Sequence, residues 1–359
     1  MPRSIRGIAL WLAPLALASC MSLPQPDVPE IPEATPGSYS TPTGPYIEVP
    51  QSAWWQVFGD PKLNAAVTEA VGENPQVFQA QARAAQARAQ AVIAGAERLP
   101  AIGAQGSASV TRQNPGFGFD TFKNYGLDLA VNWEIDLWGR IAAQQEAARE
   151  GYLASVEGLR ATRQSIAANT AKVYFAVVEA RQKADIARQV LDIQTETARQ
   201  VGNRTDAGVG APSDKFLAFA NRDSSAAQLA GNVETVERTT RQLELLLRDY
   251  PSGTVDTATR LPAVPPLPGA GLPAELIARR PDVLAAERQL RASGFQVVSA
   301  ERSLLPAISL SGGIGSASTQ LGDLLDGDFS FWQLAGNLLQ PVFQGGRLRA
   351  NVRLQEAAQ

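Results

Sequence analysis

Regular alternation of apolar and polar side chains predicts a β-strand at residues 125–136. Every second residue there is apolar and the intervening ones are mostly hydrophilic, so one face of the strand is apolar and the other polar. Similar strands are predicted at residues 101–110, 307–318 and 331–343. Strands of about ten residues fit transmembrane β-strands, which need roughly 9 to 11 residues. The periodicity alone leaves a half-buried sheet in a soluble domain equally open.

Heptad spacing of apolar residues predicts two long helices after the second strand. Residues 140–201 contain no proline, and apolar residues recur there every seven positions, with a second row four positions on. A helix of this length at 1.5 Å per residue would measure about 93 Å. A turn is predicted at residues 202–212, followed by a returning heptad helix that ends near residue 250. In isolation such heptads favour an ordinary coiled coil.

The chain repeats itself at an offset of 206 residues, because Asn74-Pro75 aligns with Arg280-Pro281 and residues 99–102 with 305–308. Each copy predicts a helix of about 24 residues between two prolines, followed by a strand. For the second strand of each copy an offset of 205 keeps the apolar faces equivalent. The pattern therefore predicts a one-residue deletion in the loop before that strand.

Composition removes several classes of function. The chain of 359 residues has 32 basic and 35 acidic side chains, a net charge of −3, which excludes charge-driven nucleic-acid binding. It has no histidine and one cysteine, which excludes histidine-ligated zinc, histidine-based triads and intrachain disulfides. An enzyme with paired carboxylates stays an alternative, since Glu134 and Asp136 share a strand face, but one polar strand face explains both acids more simply. We predict no enzyme activity, no cofactor and no metal site.

The first twenty residues have the layout of a secretory lipoprotein signal. A basic start and a short apolar run, at residues 7–17, lead through small residues into Cys20. This layout resembles the bacterial lipobox, which implies a signal peptide at residues 1–19 and lipidation of Cys20. The alternative is a free cysteine after an ordinary signal peptide. Met21 favours the outer membrane by the same resemblance, and residues 20–50 are predicted to be an extended tether.

Together these features resemble the TolC-type outer-membrane efflux proteins, specifically the OprM/NodT lipoprotein branch. The resemblance covers essentially the whole mature chain, and it rests on the lipobox, on motif residues within 55–63, 133–140, 271–273 and 279–290, and on residues 341–347. It implies a mixed α and β fold in which each chain gives four strands to a trimeric twelve-stranded transmembrane β-barrel, continued by a coiled-coil α-barrel. Open sheet edges are not tolerated in lipid, which independently favours closure by other copies.

The resemblance also implies a passive duct for small molecules, energised by an inner-membrane pump through a periplasmic adaptor protein. The gate and adaptor-docking tip is expected at Arg204, Asp206, Gly208, Gly210 and Asp214, although Asp214 has the alternative of a local role at a helix N-terminus. Strand–helix junctions are expected at Pro100, Gly139, Arg140, Pro306, Gly345 and Arg347. Alternative functions are a lipid-anchored periplasmic coiled-coil adaptor and the outer-membrane component of a type I secretion system.

The repeat also predicts the domain organisation. The first repeat is placed at residues 51–250, a linker at 251–272 and the second repeat at 273–359. About 110 residues follow Arg140 before the first repeat ends, whereas 12 follow Arg347. By internal comparison the second long helical hairpin is missing. We therefore expect the sequence to be truncated at its C-terminal side, as a fragment or as a shortened gene product.

Overall fold

The computed structural model describes residues 53–114, 116–266 and 273–359. The predicted signal peptide, Cys20 and the tether lie outside these residues, as do residues 267–272 of the predicted linker. None of the described helices combines the length and the apolar character needed to cross a membrane. The elements are α1 (Pro61–Glu73), α2 (Pro75–Ala96), β1 (Ala101–Gln113), β2 (Asp120–Ile135), α3 (Arg140–Asp206), α4 (Pro212–Leu247), α5 (Pro273–Ala278), α6 (Pro281–Arg302), β3 (Ala307–Ser318), β4 (Ser330–Leu339) and α7 (Arg347–Ala358).

The described residues form two compact units. The strand unit comprises residues 84–155 and 284–359, and so contains all four strands. The helical unit comprises residues 53–83, 156–266 and 273–283, and so contains α1 and α4. The repeat-based domain boundaries at residues 250 and 272 stay a prediction.

The four strands form one antiparallel sheet in the order β1-β2-β3-β4. Leu129 pairs with Ile314, and Ile314 pairs with Trp332. Because directly opposed residues share a face, Trp332 lies on the same face as Leu129. The predicted equivalence of the two apolar faces is thus confirmed. The predicted offset of 205 is wrong, because Ala101 pairs with Asn132 and Ala307 with Leu339, which corresponds to an offset of 207 and to one residue more, not one fewer, in the second hairpin.

Strand ends differ from the prediction for two physical reasons. The first hairpin is longer than predicted, since its ladder continues to the pair Gln113 and Asp120 through residues whose polarity does not alternate clearly. By contrast, β4 ends at Leu339, four residues before the predicted end at residue 343. Pro341 follows two residues later, and proline has no N–H with which to continue a ladder.

The first long helix is longer than predicted. It continues to Asp206, five residues past the expected end, and the reversal occupies only residues 207–211. Gly202 lies inside the helix because a single glycine costs only about 1 kcal/mol there, which the surrounding helical hydrogen bonds offset. The returning helix α4 ends at Leu247, and Arg248 follows in the left-handed conformation with φ 69°.

The helical unit has an apolar core. Leu63 and Val67 of α1, Tyr174 and Val177 of α3 and Leu243 of α4 are all completely buried in it. Burial of each such side chain contributes about 1.5 to 3 kcal/mol.

Two buried polar groups of the helical unit organise the segments around this core. Asp60 caps α1 by accepting hydrogen bonds from two backbone N–H groups, and it also accepts one from the Tyr174 hydroxyl at 2.7 Å. The same hydroxyl accepts a hydrogen bond from the Ala258 N–H at 2.8 Å. Glu244 accepts hydrogen bonds from Ser252 Oγ and from the N–H groups of Gly253 and Thr254.

Candidate functional site

One face of the sheet is an exposed apolar surface. The register aligns alternate residues of all four strands on it, and Leu129 is 49% exposed, Ile314 61% and Trp332 78%. Burying these side chains in an apolar medium would be favourable, and nothing in the described strand unit covers them. The large apolar and aromatic side chains of this apolar face are Ile102, Val110, Tyr125, Leu127, Leu129, Val131, Trp133, Ile135, Ile308, Leu310, Ile314, Trp332, Leu334 and Leu338.

The opposite face of the sheet is mostly hydrophilic, with Phe122, Phe331 and Leu339 as its large apolar residues. Its carboxylates are Asp120, Asp128 and Glu134, all on β2, and the described strands place no basic side chain on this face. Gly315 pairs with Asp128, and a Cβ added to Gly315 would lie 2.6 Å from the Asp128 Cβ. Gly312, Gly313 and Gly315 lie within β3, and Gly315 lets the strands approach closely beside an acid.

The junction between β2 and α3 is held by several side chains. Asp136 caps the helix, with its carboxylate accepting from the Ile141 N–H at 3.1 Å and the Ala142 N–H at 2.7 Å. Arg140, the first helical residue, pairs with Glu134 at 2.8 Å. The expected junction residue Gly139 lies between these groups with φ 76°.

Two tryptophans hydrogen-bond to residues near other strand–helix junctions, one within the first repeat and one across the two repeats. Trp138 Nε1 donates to the Pro306 carbonyl at 2.7 Å, and Pro306 immediately precedes β3. Trp133 Nε1 donates to the Arg98 carbonyl at 2.9 Å, near Pro100, which immediately precedes β1. Sequence reasoning used both tryptophans as motif residues but did not predict these partners.

The junction between β4 and α7 uses glycine instead of side-chain caps. Gly345 has φ 60° and Gly346 has φ 83°, and Arg347 is the first residue of α7. No side chain caps this helix. Of the six expected junction residues, Pro100, Gly139, Pro306 and Gly345 lie between a strand and a helix, whereas Arg140 and Arg347 are the first residues of α3 and α7. The β2–α3 and β4–α7 junctions differ in chemistry.

The tip between α3 and α4 is a tight reversal at residues 207–211. Gly208 has φ 79°, a conformation that residues with a Cβ rarely adopt. A Cβ on Gly210 would lie 3.0 Å from the Thr205 hydroxyl oxygen. Both expected tip glycines therefore shape the turn.

The charged residues expected at the tip have separate surroundings. Asp206 ends α3 and pairs with Lys215 of α4 at 2.7 Å, a partner that sequence reasoning missed. Arg204 is exposed, and its carbonyl accepts the Val209 N–H at 2.9 Å. Asp214 lies in the first turn of α4, where a carboxylate interacts favourably with the helix dipole.

Comparison with known proteins identifies the family. The protein-family model described as outer membrane efflux protein matches residues 66–247 and 272–359 of this chain. The chain is 30% identical over 366 residues to outer membrane protein OprJ of Pseudomonas aeruginosa, covering 98% of this chain and 75% of OprJ. It is 28% identical to the probable outer membrane lipoprotein SilC of Salmonella typhimurium, covering 96% of this chain and 75% of SilC. The solved outer-membrane channel OprN has a TM-score of 0.84 at 30% identity, covering 92% of this chain and 76% of that one.

These matches confirm the predicted fold class of long helices joined to a four-stranded sheet. They also confirm the outer-membrane location and the role as a channel component of an efflux pump. The relatives agree with a non-enzymatic role, and the absence of any catalytic activity stays a prediction. The family model matches most of the chain, the alignments cover at least 92% of it, and the fold is shared. The chain therefore belongs to the outer membrane efflux protein family.

Proposed function

We propose that the chain forms a passive duct across the outer membrane as a homotrimer. The observation that carries this proposal is the amphipathic sheet, apolar on one face and acidic on the other, whose edge strands β1 and β4 have no partner among the described residues. In lipid the unpaired N–H and C=O groups of these edges cost several kcal/mol each. Pairing β1 of one protomer with β4 of the next closes a barrel with its polar face inward.

The acidic polar face then becomes the wall of the duct. A wide pore exerts only a weak electrostatic preference, so we assign its cargo as small molecules without a narrow chemical class. Energy comes from an inner-membrane pump, reached through a periplasmic adaptor protein.

We assign docking of this adaptor and gating of the duct to the tip at residues 204–214. The tip carries exposed charge and the exposed aliphatic side chain of Val209, at 71%. Phe216, two residues beyond the tip on α4, is 73% exposed. The Asp206–Lys215 pair fixes the end of α3 to the start of α4, so breaking this exposed pair should alter gating far more than stability. We further propose that Cys20 is acylated, in keeping with the lipoprotein relative SilC.

Cysteine labelling on opposite faces of β2 tests the duct directly. The variants Asn132→Cys, on the polar face, and Leu129→Cys, on the apolar face, are placed in planar bilayers and treated with a charged methanethiosulfonate reagent. We expect a stepwise change of single-channel conductance for Asn132→Cys and none for Leu129→Cys. Equal sensitivity of both variants, or no channels from the unsubstituted chain, would overturn the proposal.

A further inference from the structure

The apolar face of the sheet carries two charged residues, and both are basic. Arg112 of β1 and Lys123 of β2 lie on it, while the other positions of this face in the described strands are uncharged. The polar face has the reverse character, with carboxylates and no base. Charge is therefore segregated across the thickness of a single sheet.

The register brings the two cations close together. Lys123 pairs with Val110, and Arg112 pairs with Thr121, so Arg112 and Lys123 are diagonal neighbours on one face. Such neighbours are about 7 to 8 Å apart, which is close enough for both to contact one phosphate-bearing group.

Both cations lie at the end of the sheet that is remote from the helices. The helices α2, α3, α6 and α7 all join the strands at the opposite end, where Trp133 lies. Lys123 is ten residues from Trp133 on β2, which corresponds to about 34 Å along a strand and about 24 Å across a membrane at a 45° tilt. This height matches the apolar band of about 25 Å that outer-membrane barrels present to lipid. The cations therefore sit where the apolar band ends on the outer side.

Neither cation is neutralised by the protein in the described residues. No carboxylate lies within ion-pair distance of either one, and Asp120, at the same level, is on the other face. The Arg112 guanidinium lies 5.2 Å from the centre of the Phe119 ring, which restrains it without cancelling its charge. Lys123 is exposed.

We propose that Arg112 and Lys123 bind the phosphorylated headgroup of a lipid in the outer leaflet, whose acyl chains pack on the apolar face below. The inference rests on the proposed barrel, because it requires the apolar face to meet lipid. Guanidinium and ammonium groups are strong phosphate donors, and two unpaired cations at one depth of an apolar surface complement an anionic headgroup attached to apolar chains. Each cation near such a surface increases the affinity for an anionic lipid about five-fold.

Native mass spectrometry of the chain in nanodiscs tests this assignment. The nanodiscs contain phosphatidylcholine doped with diphosphorylated lipid A, and the double variant Arg112→Gln/Lys123→Gln is compared with the unsubstituted protein. We expect retention of lipid A to fall about 25-fold in the double variant. The matched control Arg83→Gln/Lys172→Gln removes two exposed charges from α2 and α3 and should leave retention unchanged.

Two outcomes would overturn the assignment. One is equal retention of lipid A by the double variant and the control. The other is displacement of lipid A by millimolar inorganic phosphate, which would mean that the cations bind free phosphate without recognising a lipid. Conductance is recorded on the same preparations, so a protein that forms channels but fails the lipid test refutes only this inference. A protein that forms no channels refutes the proposed duct as well.

Discussion

The helical unit and the strand unit place the same kinds of side chain in opposite surroundings. Leu63 and Leu243 in the helical unit have no solvent exposure, whereas Leu129 in the strand unit is 49% exposed and Trp332 is 78% exposed. The helical unit thus gains stability from contacts within one chain. The strand unit exposes apolar side chains that the chain itself does not cover. In the proposed barrel, lipid and neighbouring protomers cover them. Stability of the first unit should depend on its core, and that of the second on its surroundings.

The largest effect is expected from Leu243→Ala in the core of the helical unit. Removing a completely buried leucine leaves a cavity and should lower the free energy of unfolding by about 2 to 5 kcal/mol. Urea unfolding followed by tryptophan fluorescence measures it, since Trp54 and Trp55 pack in this core. Leu245→Ala, on the same helix at 65% exposure, is the control and should change little. Equal losses for both variants would contradict the core described here.

In the strand unit, the cost of a charged substitution should depend on which face of the sheet carries it. Leu129→Arg places a charge on the lipid-facing surface and should cost about 2 to 4 kcal/mol near the bilayer midplane. Asn132→Arg, on the polar face of the same strand, should be tolerated. Folding into vesicles, measured by urea titration of the bound protein, separates the two variants. A comparable loss for Asn132→Arg would show that both faces meet lipid.

Glu244→Gln tests the polar part of the helical unit. Burial opposes ionisation of this carboxyl, but donors from Gly253, Thr254 and Ser252 outweigh it and lower its pKa. Stability from this group is therefore present above about pH 4.5 and lost as the pH falls through the lowered pKa. We expect Glu244→Gln to cost about 3 kcal/mol at neutral pH. It should also flatten the acid side of the stability profile, whereas the exposed Glu237→Gln should do neither.

The smallest effect is expected from Tyr174→Phe. Burial, and next the hydrogen bond to Asp60, raise the pKa of the Tyr174 hydroxyl well above its usual value near 10. The stability linked to this proton is present below pH 10 and lost as the pH rises further. Tyr174→Phe should cost about 1 to 3 kcal/mol at neutral pH and reduce the alkaline loss. Tyr152→Phe is the control on the same helix, and an identical alkaline profile in both variants would refute the role of Tyr174.

Prolines and periodicity made the element order predictable. Pro75 and Pro281 begin α2 and α6, and Pro100 and Pro306 immediately precede β1 and β3, because proline fixes φ and cannot continue a helix. The apolar face followed from strict alternation at residues 125–136. These signals are local, so a single sequence contains them.

Long-range partners were not predictable in this way. The Tyr174 hydroxyl donates a hydrogen bond to Asp60, which is 114 residues away in the sequence. No local sequence signal near either residue indicates this pairing. Arg112 and Lys123 were missed for a different reason, since the predicted strands ended at residue 110 and began at residue 125. Polar residues obscure the alternation there, and only the pairing of the hairpin shows that both cations share the apolar face.

The unpaired edges β1 and β4 also have a genetic consequence. If each protomer completes the edge of the next, damage to β1 disturbs a neighbouring chain that is itself intact. In a cell that makes both the altered and the unaltered chain, variants of the edge strands should therefore be dominant, since one altered chain disrupts a mixed assembly. Variants that unfold the helical unit should be recessive, because such chains are degraded before they can join an assembly.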